Sequence, residues 1–465
     1  MARISLRSRA WHGDEQIELP VPDAWHVEVV APADAPELPE HDLLRALAQP
    51  HAGPTLAALA QGKSTVLIVV DDLGRPTPAH RIVPHLLRLL EAAGIGAEGV
   101  SFLVATGSHR QISQQEIERK LGADIVARYP VHCHDAFHDD LHDLGRLPSG
   151  MPVIVNRRVT AADLVIGISC ILPHTMAGFS GGGKIMLPGS AGILSIAELH
   201  SFEAKRERAQ LETSPDHPDA REVIEAFAER SGLAFSINTV VNSRREIAAV
   251  VAGDVRGAHA GAVRRAVEIY RTEISEDLRQ NADIVIVNGY PLDADPVQVS
   301  KSQWPRKLFP QAQMILLDPA CDGIAYHGWS EFQKASVVNM LCGTISEART
   351  QGRYPAALAA LLSQPLFRRL GHMRLRRQAQ HTDVSYRAYR QGGGTIHRNT
   401  MAKRVMAKQA PLVICSQSFP EWKRAVQFPQ AVLLPDWAAV AAAGYLPDAP
   451  RRVAVVPCAP LQIPV

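Results

Sequence analysis

Four short motifs hold residue types able to grip an acid and move protons. The richest runs Pro173-His174, Gly178-Phe179-Ser180-Gly181-Gly182-Gly183-Lys184, Pro188-Gly189 and, on a helix beyond, His200. Consecutive glycines let backbone amides approach a phosphate or a flat ring closely. A lysine on such a loop can bond covalently to a cofactor, and the flanking imidazoles offer acid/base or metal-ligand chemistry. Asp71-Asp72-Leu73-Gly74-Arg75-Pro76 sets carboxylates and a guanidinium in one tight turn, and Ala105-Thr106-Gly107-Ser108-His109-Arg110 presents an imidazole just after a glycine. Gly289-Tyr290-Pro291-Leu292-Asp293 leads to Gln298 and Lys301, which share one helix face and suit a carboxylate. Taken singly, each motif has a plainer reading: a surface ion pair, a flexible loop beside unrelated histidines, an exposed helix face.

The elements around these motifs place them at strand ends, where open α/β sheets bind ligands. An apolar run, Val66 to Val70, leads through the Asp72 turn into a helix, with Thr77 as its expected N-cap and Pro78 as its first residue. Ile82, Val83, Leu86, Leu87 and Leu90 recur there at helical spacing, Gly94 ends the helix, and Val100 to Val104 is the next strand. Ser113 and Glu116 form a capping-box pattern, and Leu164 to Ile168 is a further strand. In the second half, Ile284 to Val287, Met314 to Leu317, Leu412 to Cys415, Val432 to Leu434 and Val453 to Val456 read as buried strands. The expectation is two α/β domains with mainly parallel sheets covered by helices: residues 1–271 and residues 272–465, the last residues free to pack back on the first domain.

Three apparent signatures fail on context. Gly94, Gly96 and Gly99 follow a helix and precede a strand, the reverse of a dinucleotide fingerprint. Gly178, Gly183 and Lys184 mimic a P-loop, but Ile185 stands where Ser or Thr must hold magnesium. His132, Cys133, His134, His138 and His142, irregularly spaced among aspartates, read as a solvated strand end and loop rather than a metal site. The 49 Lys and Arg nearly cancel the 47 Asp and Glu, and they are interspersed, which argues against nucleic acid as a partner. With no apolar run long enough for a membrane span, no export signal and six scattered cysteines without a CxxC pair, a cytoplasmic protein with reduced thiols is expected. An arginine-rich stretch near 350–405, including Arg368, Arg369, Arg374, Arg376 and Arg377, reads as a solvated helical excursion, or else as a lid over an anionic substrate.

Together, Asp72-x-x-Arg75-Pro76, Ala105-Thr106-Gly107-x-His109-Arg110, His174 with Gly178-Phe179-Ser180-Gly181-Gly182-x-Lys184, His200, and Gly289-Tyr290-Pro291 with Gln298 and Lys301 resemble the lactate racemase family. The resemblance implies a nickel enzyme of two α/β domains with the active site in the interdomain cleft. Its cofactor would be the nickel-pincer nucleotide, pyridinium-3-thioamide-5-thiocarboxylic acid mononucleotide, supplied by separate maturation proteins. It further implies that Lys184 is the tether beside Gly181, Gly182 and Gly183, that His200 is the protein's ligand to nickel, and that His109 and His174 are paired acid/base groups. Asp72 and Arg75 would organise the site, while Gln298, Lys301, Arg75 and Tyr290 would hold the substrate. A tryptophan near the cofactor is implied too, with Trp304, Trp329 and Trp422 as the choices.

The chemistry is consistent with the residues. The α-proton of a hydroxy carboxylate is too weakly acidic for an imidazole, so inversion is easier by oxidation to the keto acid and reduction from the other face. The expected function is therefore racemisation or epimerisation of an α-hydroxy acid by proton-coupled hydride transfer. A larger sugar acid or dicarboxylic hydroxy acid is the alternative substrate class, motivated by the extra arginines. The alternative of another class is a nucleotide-binding or cofactor-carrying protein without turnover, suggested by the incomplete P-loop. A homo-oligomer is compatible with the sequence.

Overall fold

Val66 to Val70 is an unbroken β-branched and leucine run, and the strand Val66–Asp71 is buried at every position, as expected of a central strand covered on both faces. A computed structural model describes residues 2–109, 111–136, 139–174, 177–199, 219–296, 298–322, 412–419, 428 and 431–465. In chain order its strands are β1 (Ala2–Ser8), β2 (Glu15–Val21), β3 (Trp25–Val29), β4 (Val66–Asp71), β5 (Val100–Ala105), β6 (Val131–Cys133), β7 (Leu141–Arg146) and β8 (Pro152–Asn156). They continue as β9 (Leu164–Cys170), β10 (Pro173–His174), β11 (Gly178–Phe179), β12 (Leu233–Val241), β13 (Ile247–Gly253), β14 (Arg271–Thr272) and β15 (Ile284–Asn288). The last are β16 (Gln313–Leu317), β17 (Leu412–Cys415), β18 (Val432–Leu434), β19 (Arg451–Val456) and β20 (Ile463–Pro464).

The first large sheet has the order β13-β12-β9-β4-β5-β6, parallel except for the antiparallel edge pair β12–β13. From β4 the chain moves one way to β5 and β6, then returns on the other side to β9 and β12. Open α/β sheets bind ligands at the carboxyl ends of strands beside such a switch, here between β4 and β9. The second sheet, β18-β17-β16-β15-β19-β3, is parallel throughout, with its own switch between β15 and β19. The fold is thus α/β, as the alternation of elements in the sequence indicates.

The helix after the Asp72 turn runs Ala79–Ala92 and buries Ile82, Val83, Leu86 and Leu90 at the expected spacing. It starts one residue later than expected. The Thr77 hydroxyl is not a cap but donates to Asp71 Oδ2 at 2.6 Å, because a buried carboxylate is a stronger acceptor than a helix end requires. Ser113 and Glu116 do close a complete capping box on helix Gln114–Leu121.

The first thirty residues depart from the expected division into 1–271 and 272–465. β3 pairs in parallel with β19, aligning Trp25 with Arg451 and Val29 with Val455, and the antiparallel hairpin β1–β2 packs Ile4, Leu6, Leu19 and Val21 on the second sheet. An uncovered β19 edge would leave backbone donors and acceptors open, and β3 satisfies them. At the other end β20 pairs with β14, and Cys458 and Leu461 join Cys170, Ile171, Val240, Tyr270 and Leu292 in an apolar core between the domains. No helix among the described residues is long and apolar enough to cross a membrane. The five described cysteines are free. The arginine-rich stretch, with Arg368, Arg369, Arg374, Arg376 and Arg377, lies outside the described residues.

Candidate active site

Three motifs follow the carboxyl ends of three neighbouring strands, β4, β5 and β9. In the turn after β4, Asp72 Oδ1 accepts the Gly74 amide at 3.0 Å and Asp72 Oδ2 lies 2.5 Å from His109 Nδ1. A carboxylate only accepts, so His109 carries a proton on Nδ1, and in the neutral imidazole the lone pair is on Nε2. Asp72 is buried at 3% side-chain exposure against 16% for the imidazole, which gives the pair a dry side and an open side. The Arg75 guanidinium is held by the Gly74 carbonyl at 2.7 Å. After β5, Gly107 takes φ 55° and donates to the Gly189 carbonyl at 2.8 Å, docking the His109 turn on the loop that follows Lys184.

Beyond β9 the chain makes a two-residue ladder pairing His174 with Gly178, and the Ala177 amide donates to His174 Nδ1 at 3.2 Å. In the neutral imidazole the proton must then sit on Nε2, opposite to the arrangement in His109. Burial lowers the His174 pKa well below its usual value, with Lys184, Lys301, Arg75 and Arg221 adding repulsion. His174 is therefore neutral at physiological pH and offers an N–H.

Lys184 stands on the 3₁₀ turn Gly182–Ile185. Gly181 and Gly182 have φ of 80° and 55°, and the Gly182 amide donates to Asn238 Oδ1 at 2.8 Å. An added Cβ on Gly182 would lie 2.9 Å from the His259 ring, and one on Gly183 would lie 2.8 Å from the Ile224 carbonyl. On that side the room the glycines leave is taken by protein, so close packing of the loop on two helices and β12 explains them in part. Gly182→Ala is expected to cost about 1–3 kcal/mol in denaturant unfolding, and an unchanged midpoint would discard the packing account. Arg221 braces the same loop, donating to the carbonyls of Gly181 and Phe179; burial lowers its pKa to about 10.

In the second domain, Gln298 and Lys301 share the 3₁₀ turn Gln298–Ser302, where residues three apart eclipse and do face one way. The Lys301 side chain is half-buried, but its ammonium nitrogen is shut off from solvent and has no hydrogen-bond partner among the described residues. Burial pulls its pKa well down, with Arg75 first and Lys184 next among its repulsive neighbours, while Asp295 opposes. Arg75, His174, Lys184 and Lys301 thus converge at the meeting of the two switch points.

Tyr290 does not join them. Its hydroxyl donates to Asp14 Oδ1 at 2.7 Å and its side chain belongs to the apolar core of the first sheet, which makes it a bridge between domains rather than an evident substrate contact. His134, expected in a solvated loop, is fully buried, with Nε2 2.9 Å from the Ala191 carbonyl. No group of three or more His, Cys, Asp or Glu able to hold a metal occurs among the described residues. His200, Trp329 and Trp422 lie outside them, while the Trp304 indole donates to the Ala459 carbonyl at 2.9 Å.

Lys120, Arg221 and Asn238 went unnoticed in the sequence. Only Lys120 left a trace there, as a lysine on the buried face of its helix with Ile117 and Leu121.

A family model described as the lactate racemase N-terminal domain matches residues 12–212. Lactate racemase from Thermoanaerobacterium thermosaccharolyticum is 35% identical over 267 residues, covering 56% of this chain and 61% of that protein. Lactate racemase from Lactiplantibacillus plantarum is 35% identical over 265 residues, covering 55% and 60%. The chain therefore spans about three fifths of the length of the curated relatives it matches. The solved lactate racemase apoprotein from T. thermosaccharolyticum superposes over 100% of both chains with a TM-score of 0.66 at 23% identity. A Thermotoga maritima protein does so over 93% of this chain and 100% of its own, with a TM-score of 0.60 at 20% identity. At those identities the two structures speak for the fold alone. The family model and the two curated relatives add a likeness in sequence: the N-terminal part of this chain is similar to the lactate racemase N-terminal domain and to two lactate racemases.

Proposed function

We propose that the protein interconverts the configurations of an α-hydroxy acid, with Lys184 tethering a nickel-pincer nucleotide and His200 ligating its nickel. The observation that carries this reading is the buried Lys301 ammonium nitrogen, without a hydrogen-bond partner among the described residues and set beside the cations Arg75 and Lys184 and the neutral His174. Such a concentration of cationic groups is unfavourable until anions enter it. A substrate carboxylate and the cofactor's phosphate and acidic groups fit that demand. When bound, the cofactor supplies the hydride acceptor that imidazoles cannot provide.

The chain's own groups do the rest. Lys301, Arg75 and Gln298 hold the carboxylate, so that only the carbinol carbon changes hand. His109 Nε2, its lone pair directed by Asp72, accepts the hydroxyl proton in one direction and becomes imidazolium; His174 Nε2–H returns one, leaving an imidazolate beside Lys184, Lys301 and Arg75 until the His109 proton is restored to it through solvent. The reverse direction requires the two imidazoles to exchange roles. Their opposite resting tautomers supply one acceptor and one donor before substrate arrives.

The test is co-expression with maturation proteins, nickel analysis, and chiral chromatography after incubation with enantiopure hydroxy acids, from short aliphatic to dicarboxylic and sugar acids. Inversion of any of them supports the reading and names the substrate class. A nickel-loaded chain that inverts none would end it, and magnesium-dependent ATP binding without nickel would favour a nucleotide-binding protein.

Lys301→Met separates the two roles of the cation. Removing an enclosed amine that lacks a partner should leave the unliganded fold as stable or more so, while carboxylate binding weakens about thirty-fold or more, the equivalent of ~2 kcal/mol upward. The pH dependence follows from the sign of the shift. A lysine pKa lowered by folding means that the folded chain binds fewer protons, so this group's contribution to stability rises with pH. Carboxylate affinity runs the other way, falling as pH rises through that lowered value, and the variant should lose this fall. Unaltered KM in Lys301→Met would remove Lys301 from the site.

A further inference from the structure

Lys120 sits in helix Gln114–Leu121 with its side chain entirely enclosed. Its ammonium group reaches three oxygens of one turn: Asp71 Oδ1 at 2.6 Å, the Asp72 carbonyl at 3.0 Å and the Arg75 carbonyl at 3.2 Å. Those carbonyls bracket the turn that carries Asp72 and Arg75. Thr77 takes the other oxygen of Asp71, so the carboxylate is fixed from two sides. On its far side the ammonium lies over the Trp11 ring at 5.1 Å, where Arg245 also stacks at 4.1 Å. Arg245 in turn holds Asp14 at 2.7 Å, the acceptor of the Tyr290 hydroxyl. Buried lysines are rare because enclosure disfavours their charge, and a core of this size has room for leucine or methionine instead.

We infer that Lys120 is a positioning residue, an internal cation whose contacts with Asp71 and with the carbonyls of Asp72 and Arg75 hold the turn so that Asp72 meets His109. It touches neither substrate nor cofactor. All three of its oxygens belong to the segment between the end of β4 and Arg75, and the Asp72 carboxylate turns from that segment to His109 Nδ1 at 2.5 Å. A cation that served only to neutralise Asp71 would have no need of the two carbonyls. The braces through Trp11 and Arg245 fix the height of the ammonium, and the turn takes its place from it.

The inference rests on the proposed roles of Asp72 and His109, so its test uses a signal independent of turnover. In the full-length chain without cofactor, the His109 Nδ1 proton shared with Asp72 should appear as a far-downfield proton resonance. His109→Gln assigns it by its disappearance, and Asp72→Asn should remove it too. Lys120→Met should also lose it. Because that variant leaves Asp71 charged and enclosed, the double variant Lys120→Met/Asp71→Asn is measured beside it, with thermal unfolding followed for both.

The expected result is a double variant that melts near the parent temperature yet still lacks the resonance. After cofactor loading it should show kcat lower by about tenfold or more with KM little changed, as when a group acts on the transition state alone. A double variant that folds and keeps the resonance at full intensity would overturn the inference, since Lys120 would then be a charge partner for Asp71 and nothing further. Failure of the racemase reading would instead appear as absent turnover in the parent chain, with the resonance and its loss unaffected.

Discussion

Lys184→Ala should yield a chain that folds normally, carries no covalent adduct and inverts no substrate at a measurable rate. The backbone of its turn is held without the lysine side chain: the Lys184 amide donates to the Gly181 carbonyl at 3.2 Å, Gly182 donates to Asn238, and Ile185 is buried. Truncating the side chain therefore removes an amine and little packing. If that amine is the tether, intact mass after co-expression with maturation proteins should fall to the mass of the bare polypeptide. Turnover should fall to background, because a diffusing cofactor gives up the effective molarity of a fixed one, a factor that reaches about 10⁵ or more in well-oriented systems. The electrostatic consequence is separately measurable. Lys184 is the strongest repulsive neighbour of His174 and, after Arg75, of Lys301, so both pKa values should move back up in the variant. An adduct of unchanged mass, or inversion at the parental rate, would reject the tether.

The sequence revealed the sheets where the signal is local. β4, β9 and β15 are apolar runs bounded by turn residues, and the helix between β4 and β5 shows its buried stripe at helical spacing. The pairing of β3 with β19 joins residues more than four hundred positions apart, and no pattern within five residues of half-buried edge strand specifies that partner. The site follows the same division. Asp72, His109, His174 and Lys184 are legible because short motifs mark the ends of strands. Tyr290 sits in such a motif too, but its hydroxyl went to Asp14, a choice made by the hairpin β1–β2 and invisible from the motif. His134 misleads for a related reason: a histidine among aspartates looks solvated until the Ala191 carbonyl closes over it. Lys120 inverts the usual rule that lysines face water, and only its position on the buried face with Ile117 and Leu121 hints at the exception.

Asp72→Asn is expected to lower turnover by about 10³–10⁴-fold with the fold intact, the scale seen when a histidine base is forced into its wrong tautomer. The geometry dictates which way the new amide must point. The Gly74 amide, 3.0 Å from Oδ1, requires an acceptor there, so the asparagine oxygen stays on Gly74 and its NH₂ group faces His109. An NH₂ cannot accept from Nδ1–H. The imidazole must then accept at Nδ1 and move its proton to Nε2, which removes the lone pair proposed to take the substrate's hydroxyl proton. His109 and His174 would then both offer N–H, leaving two donors and no acceptor. The loss should be equal in the two directions, because enantiomers have an equilibrium constant of one and their kcat/KM values are bound to each other. Chiral chromatography from each enantiomer measures both rates, and thermal unfolding reports on the fold. Activity in Asp72→Asn within about threefold of the parent would mean that the Asp72–His109 bond is structural, and that proton transfer belongs to another group.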